Sequence, residues 1–393
     1  MADNNLRAGW KVWRFDQMAE SIGERADPTP EDSELYVGLE HMDTDSLRVR
    51  RWGSKTDLIG QKLKMRNGDI LFARRNAYLK RVAIAPHDGL FSAHGMILRA
   101  KQGVVLPEFL PLFMQSDLFM DRAIQISVGS MSPTINWKAL AVQEFALPPM
   151  EEQRRIADAM EAIDEQTESL LLVHDRTAEL FRSLLDSMWH ECPKHKIGSL
   201  VSEGVLEPPQ DGNHGEKHPK ASDYVTSGIP FVMASDLHHG AVDFIGCKKI
   251  PEKIALNLRI GFAKQGDVLL SHKGTVGCVA LLDDMQADFA MLTPQVTYYR
   301  SRDESRLLRK WLYFAFQTPE FQRLLERYGK QSTRSYVGIT TQRELSVPFP
   351  DRLSQERFVQ ELEELECVLS SALARKQRTL QLRRSLLQTA LTI

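Results

Sequence analysis

Two segments, 150–190 and 351–393, contain neither proline nor glycine and carry apolar residues spaced alternately three and four positions apart. Each is predicted to form a helix of ~38 residues, whereas an average globular helix has about 11–12. A seam that repeats every 3.5 residues predicts a coiled coil, and two such helices in one chain most simply pack on each other. Two ordinary amphipathic helices, each lying on its own domain, are the alternative. The predicted seam consists of Ile156, Ala159, Ile163, Gln166, Leu170, Val173, Thr177, Leu180 and Leu184, then of Phe358, Leu362, Leu365, Leu369, Ala372, Thr379, Leu386 and Ala390.

The charges of these two segments favour antiparallel pairing. Seven acids lie between Glu151 and Glu168, and the second segment likewise has acids in its first half but bases from Arg375 to Arg384. Antiparallel packing sets acids against bases and suits both helix dipoles. Each helix is ~57 Å long at 1.5 Å per residue. The paired helices are therefore predicted to act as a ruler between two domains.

The two halves of the chain repeat each other weakly. Gly68-Asp69-Ile70-Leu71 recurs 198 residues later as Gly266-Asp267-Val268-Leu269, and Gln153 and Gln355 each open a charged helical run, 202 residues apart. Two further anchors keep the same order: Leu112-Phe113-Met114-Gln115 with Phe314-Ala315-Phe316-Gln317, and Leu147-Pro148-Pro149 with Val347-Pro348-Phe349-Pro350. Anchors in one order with nearly one spacing indicate a diverged tandem duplication.

A domain of mixed pattern precedes each helical segment. Short buried strands follow the two Gly-Asp pairs, and each has a predicted partner strand, at 82–85 in the first half and 279–282 in the second. The predicted fold class is α+β, with two globular α/β domains, 1–149 and 191–350. Two long antiparallel coiled-coil helices, 150–190 and 351–393, separate these domains in a pseudo-two-fold tandem repeat.

The composition excludes several classes of protein. Of 393 residues, 42% are hydrophobic and 26% charged, as in ordinary globular proteins of two or three domains. No apolar run reaches the 18 residues of a membrane helix, and the first residues lack the apolar core of a secretory signal. The four cysteines form no CxxC pair, so neither a disulfide framework nor a zinc site is expected. We expect a cytoplasmic protein with no membrane partner.

Local motifs point to one family. The segment Leu147–Ile156 is similar to an LPP-x-x-EQ-x-x-I motif that begins a spacer helix, and segments from Asp211 to Leu237 are similar to the start of a recognition domain. With the order domain, long helix, domain, long helix, the chain resembles, over about residues 10–393, the specificity subunit of type I restriction-modification systems. The second spacer start, Val347–Glu356, departs from the motif, with one proline displaced and two residues inserted before the glutamine.

The resemblance implies a non-catalytic subunit that reads double-stranded DNA. Each target-recognition domain reads one half of a bipartite, asymmetric site, and the spacers set the gap; ~57 Å spans ~17 base pairs. Such a subunit binds two methyltransferase (modification) subunits, which use S-adenosylmethionine to methylate adenine N6. It also recruits restriction/translocase subunits, which use ATP and Mg²⁺. No cofactor or metal is expected on this chain itself.

A search for catalytic motifs agrees with a non-catalytic role. The sequence has no Walker-type phosphate loop and no GxGxxG after a strand. The segment Ala146–Met150 superficially resembles the Asn-Pro-Pro-aromatic motif of adenine methylases but lacks its asparagine. His214 and His218 have the i, i+4 spacing of a metal pair. The Gly215 and Pro219 that follow them indicate a loop, so a structural or DNA-contacting role is favoured.

Local patches must supply any contact with DNA, because the net charge of the chain is −2. From Arg48 to Arg81 there are eleven Lys/Arg and only two acids. Clusters directly after a buried strand hold cations and amides rigidly; Arg pairs with guanine and Asn with adenine. A solvated hairpin is the alternative. The predicted contacts after these strands are Arg74, Arg75, Asn76, Tyr78, Lys80 and Arg81 in the first domain and His272, Lys273 and Thr275 in the second.

Polar loops that precede each spacer are a second candidate surface. Their small side chains reach phosphates and bases, although the same residue types favour turns and helix caps. The predicted contacts in these loops are Ser130, Ser132, Asn136, Gln331, Ser332, Thr333 and Arg334. Non-specific phosphate support is predicted from Arg50, Arg51, Lys55, Lys62 and Lys64.

Other functions stay open at this point. Apolar residues off the counted seam, namely Leu171, Phe181, Leu373, Leu380 and Leu387, are predicted to contact the helices of a partner. A coiled-coil protein-interaction scaffold with two ligand domains would show no salt-dependent DNA affinity. A nuclease or methylase with an unrecognised site would act on DNA without partners. An orphan DNA-recognition subunit of a methylation-only or other phage-defence system would share every feature above.

Overall fold

A computed structural model describes residues 6–53, 58–214, 218–283, 285–330 and 336–392. The chain divides into two compact units, unit 1 (1–172 and 372–393) and unit 2 (173–371). The helices in the described residues are α1 (Phe15–Met18), α2 (Phe109–Gln115), α3 (Asp117–Gln125), α4 (Trp137–Ala141), α5 (Met150–Glu191), α6 (Ile197–Ser202), α7 (Glu252–Leu256), α8 (Arg309–Gln317), α9 (Pro319–Gly329), α10 (Ile339–Glu344) and α11 (Arg352–Leu391). The two predicted long helices are therefore confirmed as α5 and α11, and each passes from one unit into the other. Among the described residues, no helix is both long enough and apolar enough to cross a bilayer.

Unit 1 contains two four-stranded sheets and one two-stranded ladder. The strands are β1 (Lys11–Arg14), β2 (Ala19–Ile22), β3 (Arg25–Ala26), β4 (Tyr36–Val37), β5 (Lys62–Met65), β6 (Ile70–Phe72), β7 (Val82–Ile84), β8 (Gly89–Phe91), β9 (Met96–Ala100) and β10 (Glu144–Leu147). One sheet has the order β2-β9-β6-β7, the other has β3-β5-β8-β4, and β1 pairs with β10. The first sheet packs its apolar side chains against α2 and α3, and the core of the domain lies there.

Unit 2 repeats this plan. Its strands are β11 (Lys194–Lys196), β12 (Gln210–Asp211), β13 (Ile229–Val232), β14 (Leu237–His238), β15 (Ala241–Val242), β16 (Lys248–Ile250), β17 (Phe262–Ala263), β18 (Val268–Lys273), β19 (Thr275–Leu281), β20 (Ala290–Leu292), β21 (Val296–Tyr299) and β22 (Ser346–Pro348). The order β12-β21-β18-β19 matches β2-β9-β6-β7, and the second sheet is β16-β13-β20-β17. Each second sheet contains one parallel pair, β4 with β8 and β13 with β20. The predicted α+β tandem repeat is confirmed.

The repeated Gly-Asp pair closes the turn before β6 and before β18. Gly68 has φ +86°, a left-handed conformation that glycine adopts without strain. The Asp69 carboxylate accepts a backbone N–H of its own turn and pairs with Arg99 of the neighbouring strand, with Oδ1 2.5 Å from Nε. Asp267 and Arg300 form the same pair at 2.7 Å in unit 2. The motif therefore serves the fold, because it fixes the start of the strand that leads to the candidate site.

A buried glutamine holds the start of α5 to its domain. The Gln153 side chain is 1% exposed. Its Oε1 accepts the Leu106 N–H at 2.9 Å, and its Nε2 donates to the carbonyls of Val104 at 3.2 Å and Pro148 at 3.0 Å. One amide thus satisfies three backbone groups that burial would otherwise leave unpaired.

Gln355 repeats this arrangement at the start of α11. Its Oε1 accepts the Leu308 N–H at 2.9 Å, and its Nε2 donates to the carbonyls of Arg306 at 2.8 Å and Pro350 at 3.0 Å. Every partner lies 202 residues after its counterpart in unit 1. The sequence-based alignment of the second spacer start is therefore wrong. Pro350, not Pro348, corresponds to Pro148, and no residue is inserted before the glutamine.

The two long helices pack antiparallel, as predicted. In unit 1, Met160 of α5 shares a core with Leu387 of α11, and the carboxylate of Asp164 accepts from Arg383 Nε at 2.7 Å. Arg383 is 3% exposed and also donates to Gln115 at 2.9 Å. The predicted facing of acid and base is thus confirmed in unit 1. In unit 2 the core contains Leu185 and Met188 of α5 with Phe358, Val359 and Leu362 of α11.

The predicted seam is correct in period but wrong in phase along α5. After Ile156 the next buried seam residue is Met160, four positions later and not three, so the alternation of three and four is reversed. Phe181 lies on the true seam, where its ring packs 6.1 Å from that of Phe314. On α11, Leu387 is buried and Leu386 is exposed. The predicted seam residues that are exposed are Ala159, Gln166, Val173, Leu180 and Leu386.

Replacing Gln153 with alanine is expected to lower the free energy of unfolding by about 3 kcal/mol, because a buried N–H and two carbonyls lose their partner at about 1–3 kcal/mol for each buried group. Urea denaturation measures the change. Gln166→Ala, an exposed glutamine on the same helix, is the control and should shift stability by less than about 0.5 kcal/mol. Equal effects of the two substitutions would contradict the role of Gln153.

Candidate nucleic-acid interface

The two surfaces predicted separately in unit 1 are one surface in the structure. The residues that follow β6 pair with the loop before α4. Ile135 N donates to Arg74 O at 3.0 Å, and Asn76 N donates to Pro133 O at 2.9 Å. We call residues 74–76 and 132–136 together the strand-end surface of unit 1. Backbone pairing holds this surface to the sheet, so its side chains start from a rigid base.

Unit 2 builds the corresponding surface in the same way. Val337 N donates to His272 O at 3.0 Å, and Lys273 forms an antiparallel bridge with Tyr336. Residues 272–275 and 336–338 are the strand-end surface of unit 2. The four predicted contacts Gln331, Ser332, Thr333 and Arg334 lie outside the described residues, as does Lys55.

Arg75 is the best-placed cation of unit 1. It is partly exposed, and its Nη2 donates to Ser132 Oγ at 3.3 Å, which joins the two predicted segments. Ser130 and Asn136 are exposed nearby in the chain, and Tyr78 is 57% exposed. These side chains are accessible on the surface of unit 1, and their contact with DNA stays a prediction.

Three other predicted cations are engaged inside unit 1. Arg74 and Arg81 each donate to a backbone carbonyl, at 3.2 and 3.0 Å, and their Nε atoms are buried without a hydrogen-bond partner among the described residues. Lys80 forms an ion pair with Asp117. Asn76 has φ +55°, and its Oδ1 is also buried without a described partner. These residues shape the surface more than they extend from it.

His272 is a correction to the predicted contacts of unit 2. Its side chain is fully buried, and its Nδ1 lies 3.1 Å from the carbonyl oxygen of Val337. Burial lowers the pKa of His272 to about 4, and the opposing effect of the nearby Asp211 carboxylate is smaller than that of burial. The imidazole is therefore neutral and enclosed at neutral pH, and it supports the strand end from below. Lys273 and Thr275, in contrast, are exposed.

Three of the predicted phosphate-supporting cations have acidic partners that lie outside the basic run. Arg50 pairs with Asp43 at 3.1 Å and with Glu168. Arg51 also pairs with Asp43, at 2.8 Å, and Lys64 pairs with Glu24 at 3.2 Å. Lys62 donates to two backbone carbonyls of its own turn. A phosphate would have to displace these partners. The ion pairs therefore lower the net positive charge of this surface below the value that the sequence from Arg48 to Arg81 suggests.

Loops that connect the two four-stranded sheets of each unit, and that carry no basic motif, also contribute to both surfaces; sequence reasoning missed them. The Ala93 carbonyl accepts a hydrogen bond from the Arg74 guanidinium, and the Gln295 carbonyl accepts one from the His272 N–H at 2.9 Å. The loops 92–95 and 293–295 thus border the strand ends. No pattern in the sequence marks them, because only the pairing of β6 with β9 and of β18 with β21 brings them there.

The described residues contain one group with the composition of a metal site. Asp186, His190 and Glu320 place their ligand atoms within 4.8 Å of one another. Glu320 is already paired with Arg323. His214 and His218 are not part of this group; His214 Nε2 lies 2.8 Å from the Asp211 carboxylate, and His218 Nδ1 lies 3.3 Å from the carbonyl oxygen of Asn213.

A family model matches most of the first half of the chain. Residues 9–172 match the family model described as Type I restriction modification DNA specificity domain. The chain is 24% identical over 213 residues to the Type I restriction enzyme EcoDI specificity subunit of Escherichia coli, covering 50% of this chain and 47% of that protein. It is 20% identical over 245 residues to the EcoBI specificity subunit of the same organism, covering 56% and 50%. The chain thus spans about half the length of the curated relatives it matches.

Solved structures share the fold over nearly the whole chain. The S subunit of a type I restriction-modification system from M. genitalium has a TM-score of 0.64 at 13% identity and covers 100% of this chain and 98% of that chain. A chain from a study of complex assembly and conformational transition of the type I R-M system has a TM-score of 0.60 at 20% identity, with 98% of both chains covered.

Burial of His272 predicts a pH dependence of stability. Unfolded histidine, with a pKa of about 6.5, binds its proton before folded His272 does, so stability is lost as the pH falls from about 6.5 to about 4. The loss from this group is expected to be about 3 kcal/mol. Urea denaturation between pH 7 and pH 4 should show a flatter profile for His272→Gln. His238→Gln, an exposed histidine of the same unit, should keep the wild-type profile, and identical profiles for all three proteins would contradict the assignment.

Proposed function

We propose that this chain, which carries a type I restriction-modification DNA specificity domain and has the fold of type I specificity subunits, is the DNA-recognition subunit of a type I restriction-modification complex. Each unit reads one half of a bipartite, asymmetric site in double-stranded DNA. The chain is non-catalytic and works in the cytoplasm. The long helices set the number of base pairs between the two halves.

The observation that supports the reading role most strongly is the duplicated strand-end surface. In both units an equivalent backbone hydrogen bond joins the end of a strand to the loop that precedes a short helix. The strand residue that follows this hydrogen bond is an accessible cation, Arg75 in unit 1 and Lys273 in unit 2. The guanidinium of Arg75 suits bidentate contact with guanine, whereas the ammonium of Lys273 is a point charge. Two equivalent positions with different chemistry favour two different half-sites.

Exposed apolar side chains of the long helices favour docking of helical partners. Isolated apolar residues on a surface are normal, but a series along one coiled coil suits helix–helix contact. We propose that two methyltransferase subunits, and restriction subunits where present, bind there and bring S-adenosylmethionine, ATP and Mg²⁺. The exposed residues are Leu172, Val173 and Leu180 on α5 and Val368, Leu373, Leu382 and Leu386 on α11.

Mapping of DNA methylation tests this function. The chain is co-expressed with an adenine methyltransferase subunit, and N6-methyladenine is located across the genome. A single two-part motif with a fixed gap is expected. Arg75→Ala should relax one base position in one half-site, and Lys273→Ala one position in the other, by about 1–3 kcal/mol of discrimination. Arg25→Ala, an exposed arginine on β3, should leave the motif unchanged.

Three outcomes would contradict the proposal in different ways. A soluble complex with no salt-dependent DNA affinity would favour the protein-interaction scaffold. Modification or cutting of DNA by the chain alone would favour an enzyme. A motif that Arg75→Ala and Lys273→Ala leave unchanged would remove the strand-end surfaces from base reading.

The spacing role is tested by lengthening both long helices. Insertion of seven residues near Leu172 of α5 and seven near Ala372 of α11 keeps the seam in phase and adds ~10 Å. The gap between the half-sites should grow by ~3 base pairs, with both half-sites unchanged. Insertion of one residue in each helix rotates the seam by ~100° and should abolish a defined motif. An unchanged gap after the seven-residue insertions would contradict the spacing role.

A further inference from the structure

A pocket of about 380 Å³ opens beside the strand-end surface of unit 2. It lies where the end of β18 meets the loop before β21 and the loop after β12. Its polar lining comes from three different loops or strand ends. The polar residues are His214, His218, Lys273, Thr293 and Gln295.

Both histidines of the pocket use one ring nitrogen in a hydrogen bond within unit 2. His214 Nε2 lies 2.8 Å from the carboxylate of Asp211, which is buried. His218 Nδ1 lies 3.3 Å from the carbonyl oxygen of Asn213. Among the described residues, each imidazole therefore keeps its other ring nitrogen for a ligand. Such support fixes a side chain before the ligand arrives, which lowers the entropic cost of binding.

The backbone that leads to His214 is also fixed. Asn213 donates to Ile260 O at 2.5 Å and accepts the Arg259 N–H at 3.0 Å. A Cβ on Gly212 would lie 1.9 Å from Leu292 O, so only glycine lets the two backbones approach this closely. This part of the pocket wall is thus packed closely against β20 of unit 2.

Two buried polar atoms, one in the pocket lining and one in the residue before Lys273, have no hydrogen-bond partner within the described residues. Thr293 lines the pocket, is 4% exposed, and has a buried Oγ1 without a hydrogen-bond partner. His272 lies beneath the strand end, and its buried Nε2 also has none; the nearest carboxylate oxygen, of Asp211, is 3.9 Å away. Unpaired buried polar groups are rare and costly in folded proteins. An orphaned hydroxyl in the lining of an open pocket indicates a ligand that completes its hydrogen bonding.

The chemistry of the lining suits a ligand edge that both accepts and donates hydrogen bonds. The ammonium of Lys273, the hydroxyl of Thr293 and the amide of Gln295 donate, and that amide also accepts. A neutral imidazole whose N–H is given to a carboxylate or carbonyl, as in His214 and His218, offers its other nitrogen as an acceptor. Purine edges in the major groove present these partners: guanine offers N7 and O6 to lysine, and adenine offers N7 and N6–H₂ to glutamine. Met233 and Pro294 supply apolar contact in the same lining. That mixture suits a base edge better than a phosphate, which offers only charged oxygens.

Unit 1 differs at the same place. The register of β6 with β9 and of β18 with β21 aligns His94 with Gln295 and Arg74 with His272. The larger Arg74 reaches the Ala93 carbonyl there at 3.2 Å. The two units therefore present different groups at equivalent positions.

We propose that the pocket of unit 2 receives a purine edge of the DNA half-site that this unit reads, with Gln295 and Lys273 as specificity-determining side chains. Thr293 adds a donor hydroxyl, and His214 and His218 add ring nitrogens that accept, around that edge. This assignment rests on the proposed DNA-recognition function and names the residues that carry out the recognition in unit 2.

Selection from random DNA tests the pocket. The full chain, purified with a co-expressed methyltransferase subunit, is mixed with duplex DNA that carries randomised half-sites, and the bound fraction is sequenced. Gln295→Ala is expected to lose preference at one purine position of one half-site by ~10- to 100-fold. The other half-site and the salt dependence of binding should not change. Gln286→Ala, an exposed glutamine of the same unit outside the pocket, should select the wild-type motif.

Thr293→Val supplies a second readout, because it removes the orphaned hydroxyl while keeping the shape of the side chain. The melting temperature of the variant should equal or exceed that of the wild type, and affinity for the selected duplex should fall severalfold. A lower melting temperature with unchanged affinity would show that the hydroxyl serves the fold and would overturn its role in the pocket.

The outcomes separate this assignment from the proposed function. Absence of any motif for the wild type would remove the DNA-recognition function as a whole. A wild-type motif that Gln295→Ala leaves intact would overturn the pocket alone. An equal loss of affinity for every sequence, in a variant with the wild-type melting temperature, would make Gln295 a backbone contact and would also overturn the assignment.

Discussion

The buried amide at the start of each long helix is the interaction on which the architecture depends. Gln153 and Gln355 each bind three backbone groups, and each thereby fixes the direction in which a helix of about forty residues leaves its domain. A small error of angle at the start of such a helix grows along its length of ~60 Å. A glutamine suits this position because its amide both donates and accepts. One side chain can therefore pair with two backbone carbonyls and one backbone N–H. The chain uses the same solution twice, with partners displaced by the same number of residues.

The candidate site uses the strand ends in a comparable way. Backbone hydrogen bonds join each strand end to the loop before a short helix, so the surface is held by groups that any sequence possesses. Side chains are then free to differ: Arg74 and Arg75 in unit 1 correspond to His272 and Lys273 in unit 2. In each pair the first residue is directed inward and the second remains accessible. The backbone geometry of the surface is therefore shared by the two units while its accessible side chains differ.

The long helices show that the duplicated halves have diverged in how they are held together. In unit 1 the nearly buried Arg383 pairs with Asp164. In unit 2 the residue 202 positions before Arg383 is Phe181 of α5, which packs its ring against Phe314 of α8. Burial raises the pKa of Glu366, which accepts the hydroxyl of Tyr313 at 2.7 Å. An ion pair left without one partner is costly inside a protein, so the unit 1 contact specifies its register more strictly than an apolar contact does.

The sequence by itself determined the features that arise from local periodicity and from duplication. It predicted both long helices, their antiparallel pairing, the repeat and the order of the domains, because a 3.5-residue pattern and repeated anchors are properties of the chain alone. Its phase along α5 was wrong, since Ala159 and Met160 are equally apolar neighbours and only the packed partner decides which is buried. Only the tertiary structure joined Arg75 to Ser132, buried His272, and brought Gln295 beside Lys273. Those outcomes follow from the pairing of strands distant in sequence, and the energy of such long-range pairing leaves no pattern in any local segment.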